Sequence, residues 1–173
     1  MSSGEVPHSA YQERVNAGGK DSGRTATLKY FSKEETIINL FAQIKTAVSV
    51  KEAAEYCRLR NVKLYVTMNT LIFDDEMEAA LEYAKYLYEI GVDALIVQDL
   101  GFSALVREAM PDFPLHFSTQ GTIYSKEGVI ASARFGFERV VLAREVSLAD
   151  MREIQAAIKE MGLETELEVF VHG

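Results

Sequence analysis

The stretch from Val62 to Gly101 decides the fold: VKLYVTMN over 62–69, a helical pattern over 75–90, and VDALIVQD over 92–99. The first and last parts are rich in β-branched and aliphatic residues and are bounded by turn residues, which is typical of strands. The middle part carries apolar residues at helical spacing, with charged residues on its other side. Two strands joined by a crossover helix must be parallel, and the crossover is expected to be right-handed.

The same unit repeats along the rest of the chain. Strand patterns begin near positions 62, 92, 114, 139 and 166, and helical patterns separate them. This β/α repeat, with a period of about 25 residues, indicates a parallel sheet covered by helices. Two α/β architectures fit such a repeat, an open doubly wound sheet and a (β/α)8 barrel.

The last strand favours the barrel. Aliphatic residues alternate there with Glu166, Glu168 and His172. A doubly wound sheet is apolar on both faces, whereas a barrel interior can hold polar groups near its upper end. Eight units need about 200 to 250 residues. We therefore expect an incomplete TIM-type (β/α)8 barrel of about five parallel strands with helices outside.

The first part of the chain does not follow this pattern. Residues 1–30 are expected to be poorly ordered, and residues 31–173 to form the partial barrel domain. The glycine pair before Lys20 has neither the preceding strand nor the spacing of a phosphate-binding loop. Capping boxes at 32–35 and 49–52 predict two helices before the first strand of the repeat.

Composition and charge restrict the class of protein. The chain has 173 residues, 48% of them hydrophobic, and a net charge of −8. An acidic balance gives no general attraction to nucleic acid or to an anionic membrane, although a local basic patch stays open. No membrane span or signal peptide is expected. The single cysteine, Cys57, excludes an internal disulfide and suggests a cytoplasmic protein; as a small core residue it is favoured over a reactive thiol.

Polar residues gather where the predicted strands end. The βα loops of a β/α barrel meet at that end, so these polar residues predict a substrate-binding site there. These residues are Asn69, Gln98, Asp99, Gln120, Arg144 and Glu145. Arg144 is the candidate anion clamp. The alternative for each of them is a structural role at the end of a strand.

A metal site is not predicted. Glu168 and His172 lie four residues apart on one strand, so they are separated by about 13 Å and cannot form a tight pair. His116 is a third candidate ligand, but its spacing does not complete a set of converging ligands. The sequence also contains no zinc-peptidase, nucleophile-elbow or Cys-x-x-Cys motif.

Five blocks of the sequence resemble one family. They are Asn61–Thr70, Gly91–Gly101, His116–Gln120, Arg139–Glu145 and Glu166–Gly173. In this order and spacing, over residues 49 to 173, they are similar to the collagenase-like peptidases, family thirty-two of the unassigned peptidases. The last block resembles the opening of the family signature, and its Glu168 and His172 become the candidate catalytic residues.

The sequence also departs from that family. The family signature continues past Gly173 with paired cysteines, and in some members later cysteines hold an iron–sulfur cluster. Cys57 does not match them, so no cofactor is expected in this chain. The Pro-Ala-Gly and Gly-Gly turns of the family's first two strands are not clear in residues 1–48. The chain is therefore expected to be a fragment, cut at its end and altered at its start.

The resemblance implies two kinds of activity. Some members of the family are peptidases, while others hydroxylate uridine in transfer RNA or cytidine in ribosomal RNA, or assist quinone hydroxylation. The substrate is accordingly a peptide or an RNA, with peptidase as the first interpretation. A third is an inactive gene fragment. Because five strands leave two open sheet edges, self-association is also expected.

Overall fold

The strands form one sheet. This computed structural model describes residues 50–171 and two earlier stretches, 12–15 and 24–29. The strands are β1 (Gln12–Val15), β2 (Arg24–Lys29), β3 (Lys63–Met68), β4 (Ala94–Val97), β5 (Leu115–Phe117), β6 (Arg139–Val141) and β7 (Glu166–Glu168). They lie side by side in chain order. β1 is antiparallel to β2, and every neighbouring pair from β2 to β7 is parallel.

Helices connect the parallel strands. They are α1 (Val50–Arg58), α2 (Met77–Glu89), α3 (Leu100–Ala109), α4 (Lys126–Phe135) and α5 (Leu148–Glu160). Serine side chains cap two of them. The Ser125 hydroxyl accepts from the Gly128 backbone N–H at the start of α4, and Ser147 forms a capping box with Asp150 at the start of α5.

The main core lies between the helices and one face of the sheet. Alternate strand residues Leu64, Val66, Leu95, Val97, Leu115 and Val140 pack there against Leu87, Phe102, Val129 and Ile154 of the helices. Each side chain of this size contributes about 1.5–3 kcal/mol when it is fully buried. The period-2 pattern of the strands and the 3.6-residue pattern of the helices meet in this layer, which confirms the predicted α/β fold with five parallel β/α strands.

Two strands were not predicted. β1 and β2 fall in the segment 1–30, where the sequence has no apolar periodicity, but β2 pairs in parallel with β3 over Thr25↔Lys63 to Lys29↔Thr67. Pairing with a distant strand depends on register and not on local pattern, so sequence inspection missed it. The other residues of 1–30 and the helix predicted after the first capping box lie outside the described residues.

The third predicted strand, expected over residues 115–120, is shorter in the structure. It ends at Phe117, and Thr119–Gly121 forms a 3-10 turn. The Ser118 hydroxyl accepts from the Gln120 N–H at 3.3 Å, which turns the chain out of the sheet. Gly121 permits this turn because a Cβ there would lie 2.7 Å from the Phe117 ring.

Side chains fasten the lower edge of the sheet, the edge where the parallel strands begin. The residue before β4, Asp93, accepts from the Leu64 N–H at 2.8 Å. The residue before β6, Glu138, accepts from the Leu115 N–H at 2.7 Å. In each case a carboxylate in front of one strand holds the first residues of its neighbour.

Arginines complete the lower edge. Arg58 donates to the Ile90 carbonyl at the end of α2 (3.0 Å), and Arg107 donates to the Gly136 carbonyl at the end of α4 (2.6 Å). Both helices end in front of a glycine with positive φ, Gly91 and Gly136. Carbonyl groups at the helix ends, which have no intrahelical partner, thus accept hydrogen bonds from charged arginine side chains.

The edges of the sheet are β1 and β7. Self-association through them stays a prediction, which light scattering can test. Among the described helices, none is long and apolar enough to cross a membrane.

Candidate functional site

The second face of the sheet is polar. We call it the inner face: the strand residues that alternate with those of the main core. It includes Tyr65, Thr67, Ile96, His116, Arg139, Glu166 and Glu168. Tyr65, Ala94 and Ile96 form an apolar cluster separate from the main core. In a barrel this face becomes the interior.

Arg139 organises the charges of the inner face. Its Nε donates to Glu166 Oε2 at 3.0 Å, its Nη2 contacts the same oxygen, and its Nη1 lies 3.7 Å from Glu168 Oε2. Burial by itself would lower the pKa of Arg139, but the hydrogen bond and the charges of its partners outweigh burial and raise it. The guanidinium therefore stays charged and is already paired with two carboxylates.

His116 lies beside the ion pairs of Arg139 and is buried. It is 5% exposed, and its ring meets Tyr65 edge-on with centroids 4.6 Å apart. Burial, with the positive charges of Arg139 and Lys63, lowers the pKa of His116 to about 3. The imidazole is thus neutral at neutral pH, with one donor and one acceptor nitrogen.

The upper edge, where the parallel strands end, carries the predicted binding residues. Asn69 follows β3 and donates to the Ser118 hydroxyl at 3.0 Å, which ties the end of β3 to the end of β5. Gln120 lies two residues after Ser118, in the 3-10 turn, and is exposed. The structure therefore brings the turn that carries Gln120 close to Asn69.

The two residues that follow β4, Gln98 and Asp99, differ in their surroundings. Asp99 caps α3, where its Oδ1 accepts from the Phe102 N–H at 2.9 Å. Gln98 is half-buried at the same upper edge. The structural alternative thus accounts for one oxygen of Asp99, while substrate binding by either residue stays a prediction.

Arg144 and Glu145 follow β6 and are both exposed. The Arg144 guanidinium lies 4.8 Å from the centre of the Phe170 ring. An arginine held against an aromatic ring is oriented while its charge still faces solvent. Its predicted use as an anion clamp is not tested by this contact.

Of the two candidate catalytic residues, one lies within the described part of the chain. Glu168 lies on β7 and faces Arg139. His172 lies outside the described residues. Within the described part of the chain, no group of three His, Cys, Asp or Glu side chains is placed to hold a metal ion.

Aromatic side chains are exposed on two loops of the upper edge. Phe73, between β3 and α2, is 70% exposed, and Tyr124, between β5 and α4, is 65% exposed. Both loops leave the carboxyl ends of parallel strands, so they open at the same edge as Asn69 and Gln120. Large exposed aromatics are costly to leave in water and mark interaction sites when they share a surface.

Sequence inspection missed Tyr65 and Arg139. The register sets His116, Arg139 and Glu166 side by side on three neighbouring strands. A signal was present, because a polar or charged residue recurs at the inward position of consecutive strands. It points to a cluster only once the register is known.

A parallel β/α sheet with a polar inner face and a polar upper edge defines the class: an α/β protein of the barrel type. The model of one family, peptidase family U32, matches residues 38–173. The chain belongs to this family, which confirms the resemblance of its five sequence blocks.

Curated relatives carry two kinds of name. The chain is 39% identical over 128 residues to the 23S rRNA 5-hydroxycytidine C2501 synthase of Escherichia coli, covering 72% of this chain and 18% of that protein. It is 36% identical over 111 residues to the tRNA hydroxylation protein P of the same organism, covering 64% and 24%. It is 29% identical over 161 residues to an uncharacterized protease of Methanocaldococcus jannaschii, covering 93% and 35%. The chain thus spans about a fifth to a third of these relatives.

Solved structures share the fold. A U32 peptidase superposes with a TM-score of 0.57 at 18% identity, covering 71% of this chain and 51% of that one. A glycerophosphodiester phosphodiesterase from Parabacteroides distasonis gives 0.55 at 10% identity, covering 94% and 70%. At these identities the likeness concerns the fold alone. The open sheet fits an incomplete barrel.

Proposed function

We propose that this chain is the RNA-recognising part of a protein that hydroxylates RNA bases. One observation carries the proposal: the exposed aromatic rings of Phe73 and Tyr124 at the upper edge of the sheet. Unstacked bases bind to such rings, and single-stranded RNA is recognised mainly in this way. The names of the two Escherichia coli relatives support the same activity.

Both rings are held on ordered loops. The Phe73 N–H donates to Glu76 Oε2 at 3.1 Å, and its carbonyl accepts from the Glu76 N–H at 2.9 Å. Tyr124 stands between Ile123, whose carbonyl accepts from Ala143, and Ser125, which caps α4. A loop fixed on both sides of an aromatic residue loses little further entropy when a base stacks on it.

The charge of the chain predicts the form of the interaction. With a net charge of −8, the protein attracts phosphates weakly overall, so affinity must come from stacking more than from counterion release. Arg144 against Phe170 supplies one oriented positive charge at the same edge. We therefore expect binding that depends less on salt than is usual for RNA-binding proteins.

The residues of this chain do not fit an iron–sulfur cluster. Its single cysteine, Cys57, is buried in the main core on α1. Burial, with the nearby charge of Asp93, raises the pKa of the Cys57 thiol, whereas cluster ligands are thiolates. A cluster would need cysteines that this sequence does not contain. As part of the same proposal, the protein acts in the cytoplasm, where one free cysteine is ordinary.

Fluorescence anisotropy with a short, labelled, pyrimidine-rich single-stranded RNA tests the proposal. Replacing Phe73 or Tyr124 with alanine should weaken binding about 5- to 150-fold, the effect of losing about 1–3 kcal/mol per stacked base. The matched control is Tyr56→Ala, which removes a 59% exposed ring from helix α1. RNA affinity that is absent, or unchanged in both loop variants, would refute the proposal.

A second candidate function is peptide hydrolysis. The relative of Methanocaldococcus jannaschii named as an uncharacterized protease matches 93% of this chain. Gelatin cleavage by the purified chain, lost in Glu168→Ala and His172→Ala, would favour it over RNA recognition. A chain that neither binds RNA nor cleaves gelatin would leave the third interpretation, an inactive fragment.

A further inference from the structure

His116 has an enclosed nitrogen without a protein partner. Its Nδ1 is buried and has no hydrogen-bond partner among the residues that the structure describes. Buried polar atoms are nearly always paired, since an unpaired one costs about 1–3 kcal/mol. An unpaired nitrogen on the inner face, beside a candidate binding edge, calls for a partner that is not part of the described chain.

The surroundings of His116 select the chemistry of that partner. Arg139, opposite His116 on the neighbouring strand β6, is already paired with Glu166 and Glu168. The imidazole itself is neutral. Because the imidazole is neutral and Arg139 is already paired, a single hydrogen bond between Nδ1 and a neutral polar group fits this place.

The position of His116 connects it with the upper edge. Ser118, the residue directly after β5, lies two positions further along the chain, about 7 Å at 3.3 Å per residue. Ser118 is the residue that accepts from Asn69. His116 thus lies one step below the Asn69–Ser118 bridge, on the face that becomes a barrel interior.

We propose that Nδ1 of His116 hydrogen-bonds to the polar edge of a pyrimidine base that enters the inner face from the upper edge. This inference rests on the proposed function and adds the subsite for the target base. The polar edges of cytosine and uracil carry both donor and acceptor atoms, so either base can pair with this nitrogen. The Tyr65 ring, edge-on to His116, fixes the imidazole for this contact.

Nitrogen NMR of histidine-labelled protein tests the inference on the whole chain. The ring ¹⁵N signals of His116 are assigned by their loss in His116→Phe or His116→Gln. Cytidine, uridine or the saturating RNA should shift the His116 signals, while ribose and inorganic phosphate should not. Of the two variants, His116→Phe keeps an aromatic ring against Tyr65 and should weaken nucleoside binding about tenfold, the value of one hydrogen bond. His116→Gln, which keeps a donor and an acceptor, should recover part of that loss.

The outcomes separate the two proposals. If RNA binds through Phe73 and Tyr124 but the His116 signals do not move, a bound water alone satisfies the nitrogen and the inference is wrong, while the proposed function stands. If neither RNA nor nucleosides bind, both fail. A purely structural His116 would change stability in the variants without changing nucleoside affinity, which also overturns the inference.

Discussion

The lower and upper edges of the same sheet are built differently. At the lower edge, Asp93 and Glu138 hold the backbone of neighbouring strands, and Arg58 and Arg107 hold helix ends. At the upper edge, Phe73 and Tyr124 are exposed and Arg144 faces solvent. The four side chains at the lower edge make internal hydrogen bonds, whereas Phe73, Tyr124 and Arg144 at the upper edge remain exposed to a ligand.

This difference follows from the direction of the strands. All strands from β2 to β7 run the same way, so the loops after the strands collect at one edge and the loops before them at the other. Stability and binding can therefore be divided between two edges of one scaffold. The inner face lies between them and carries the most heavily buried charge. Substitutions at these places should differ in what they change.

The largest effect on stability is expected at Arg139. Replacing it with alanine removes the buried cation that pairs with Glu166 and Glu168, which should lower the free energy of unfolding by about 3–5 kcal/mol. Urea denaturation followed by circular dichroism measures this loss. Arg134→Ala, at an exposed position of α4, is the control and should change stability by about 0.5 kcal/mol or less. A loss below about 1 kcal/mol for Arg139→Ala would show that the buried ion pairs do not hold the inner face together.

The next effect concerns pH and His116. In the folded protein the pKa of His116 is about 3, below its unfolded value of about 6.5, so the unfolded chain binds the proton more readily. Stability from the neutral imidazole is complete above about pH 6.5 and is lost as the pH falls toward 3. The loss should be on the order of a few kcal/mol. Urea midpoints of the wild type and His116→Gln, compared between pH 7 and 4, isolate it; parallel curves would contradict the buried neutral histidine.

An intermediate effect is expected at the lower edge. Glu138→Ala removes the acceptor for the Leu115 N–H and a partner of Arg107, which should cost about 1–3 kcal/mol. Glu127→Ala, at an exposed glutamate of α4 that lies 3.7 Å from the Lys126 ammonium, should cost about 0.5 kcal/mol or less. Equal losses in the two variants, measured by urea denaturation, would remove the distinction between a fastening residue and a surface one.

The smallest effect on stability is expected at the upper edge. Phe73 is mostly exposed, so Phe73→Ala should change the free energy of unfolding by about 0.5 kcal/mol or less, even though RNA binding weakens. The same thermal or urea melt, run beside the anisotropy titration, measures both properties of one sample. A loss of more than about 2 kcal/mol would mean that the ring packs internally and that the upper edge is built like the lower one.

Much of the fold was readable from the sequence because its signals are local. The strand patterns near Val62 and Val92, the Ser125 and Ser147 caps and the glycines that end the helices all act within a few residues. The strands β1 and β2 were missed for the opposite reason, since they lack a local pattern and are held by pairing with β3.

The candidate site was predicted only in part. The position of Asn69, Gln98, Gln120 and Arg144 at the upper edge could be read from the sequence, because direction alone puts every strand end there; their binding role stays a prediction. The sequence could not show that Asp99 caps a helix, nor that Arg139 gathers two glutamates from β7.

The repeated strand and helix unit, its parallel direction and the family of the chain could all be read from the order of the amino acids. These follow from periodicity and local motifs, which a linear chain carries in full. The burial of a neutral His116 beside Arg139 and Tyr65, in contrast, is visible only in the folded molecule. Burial and charge depend on strand register, which joins residues far apart in the chain, and no local pattern contains that information.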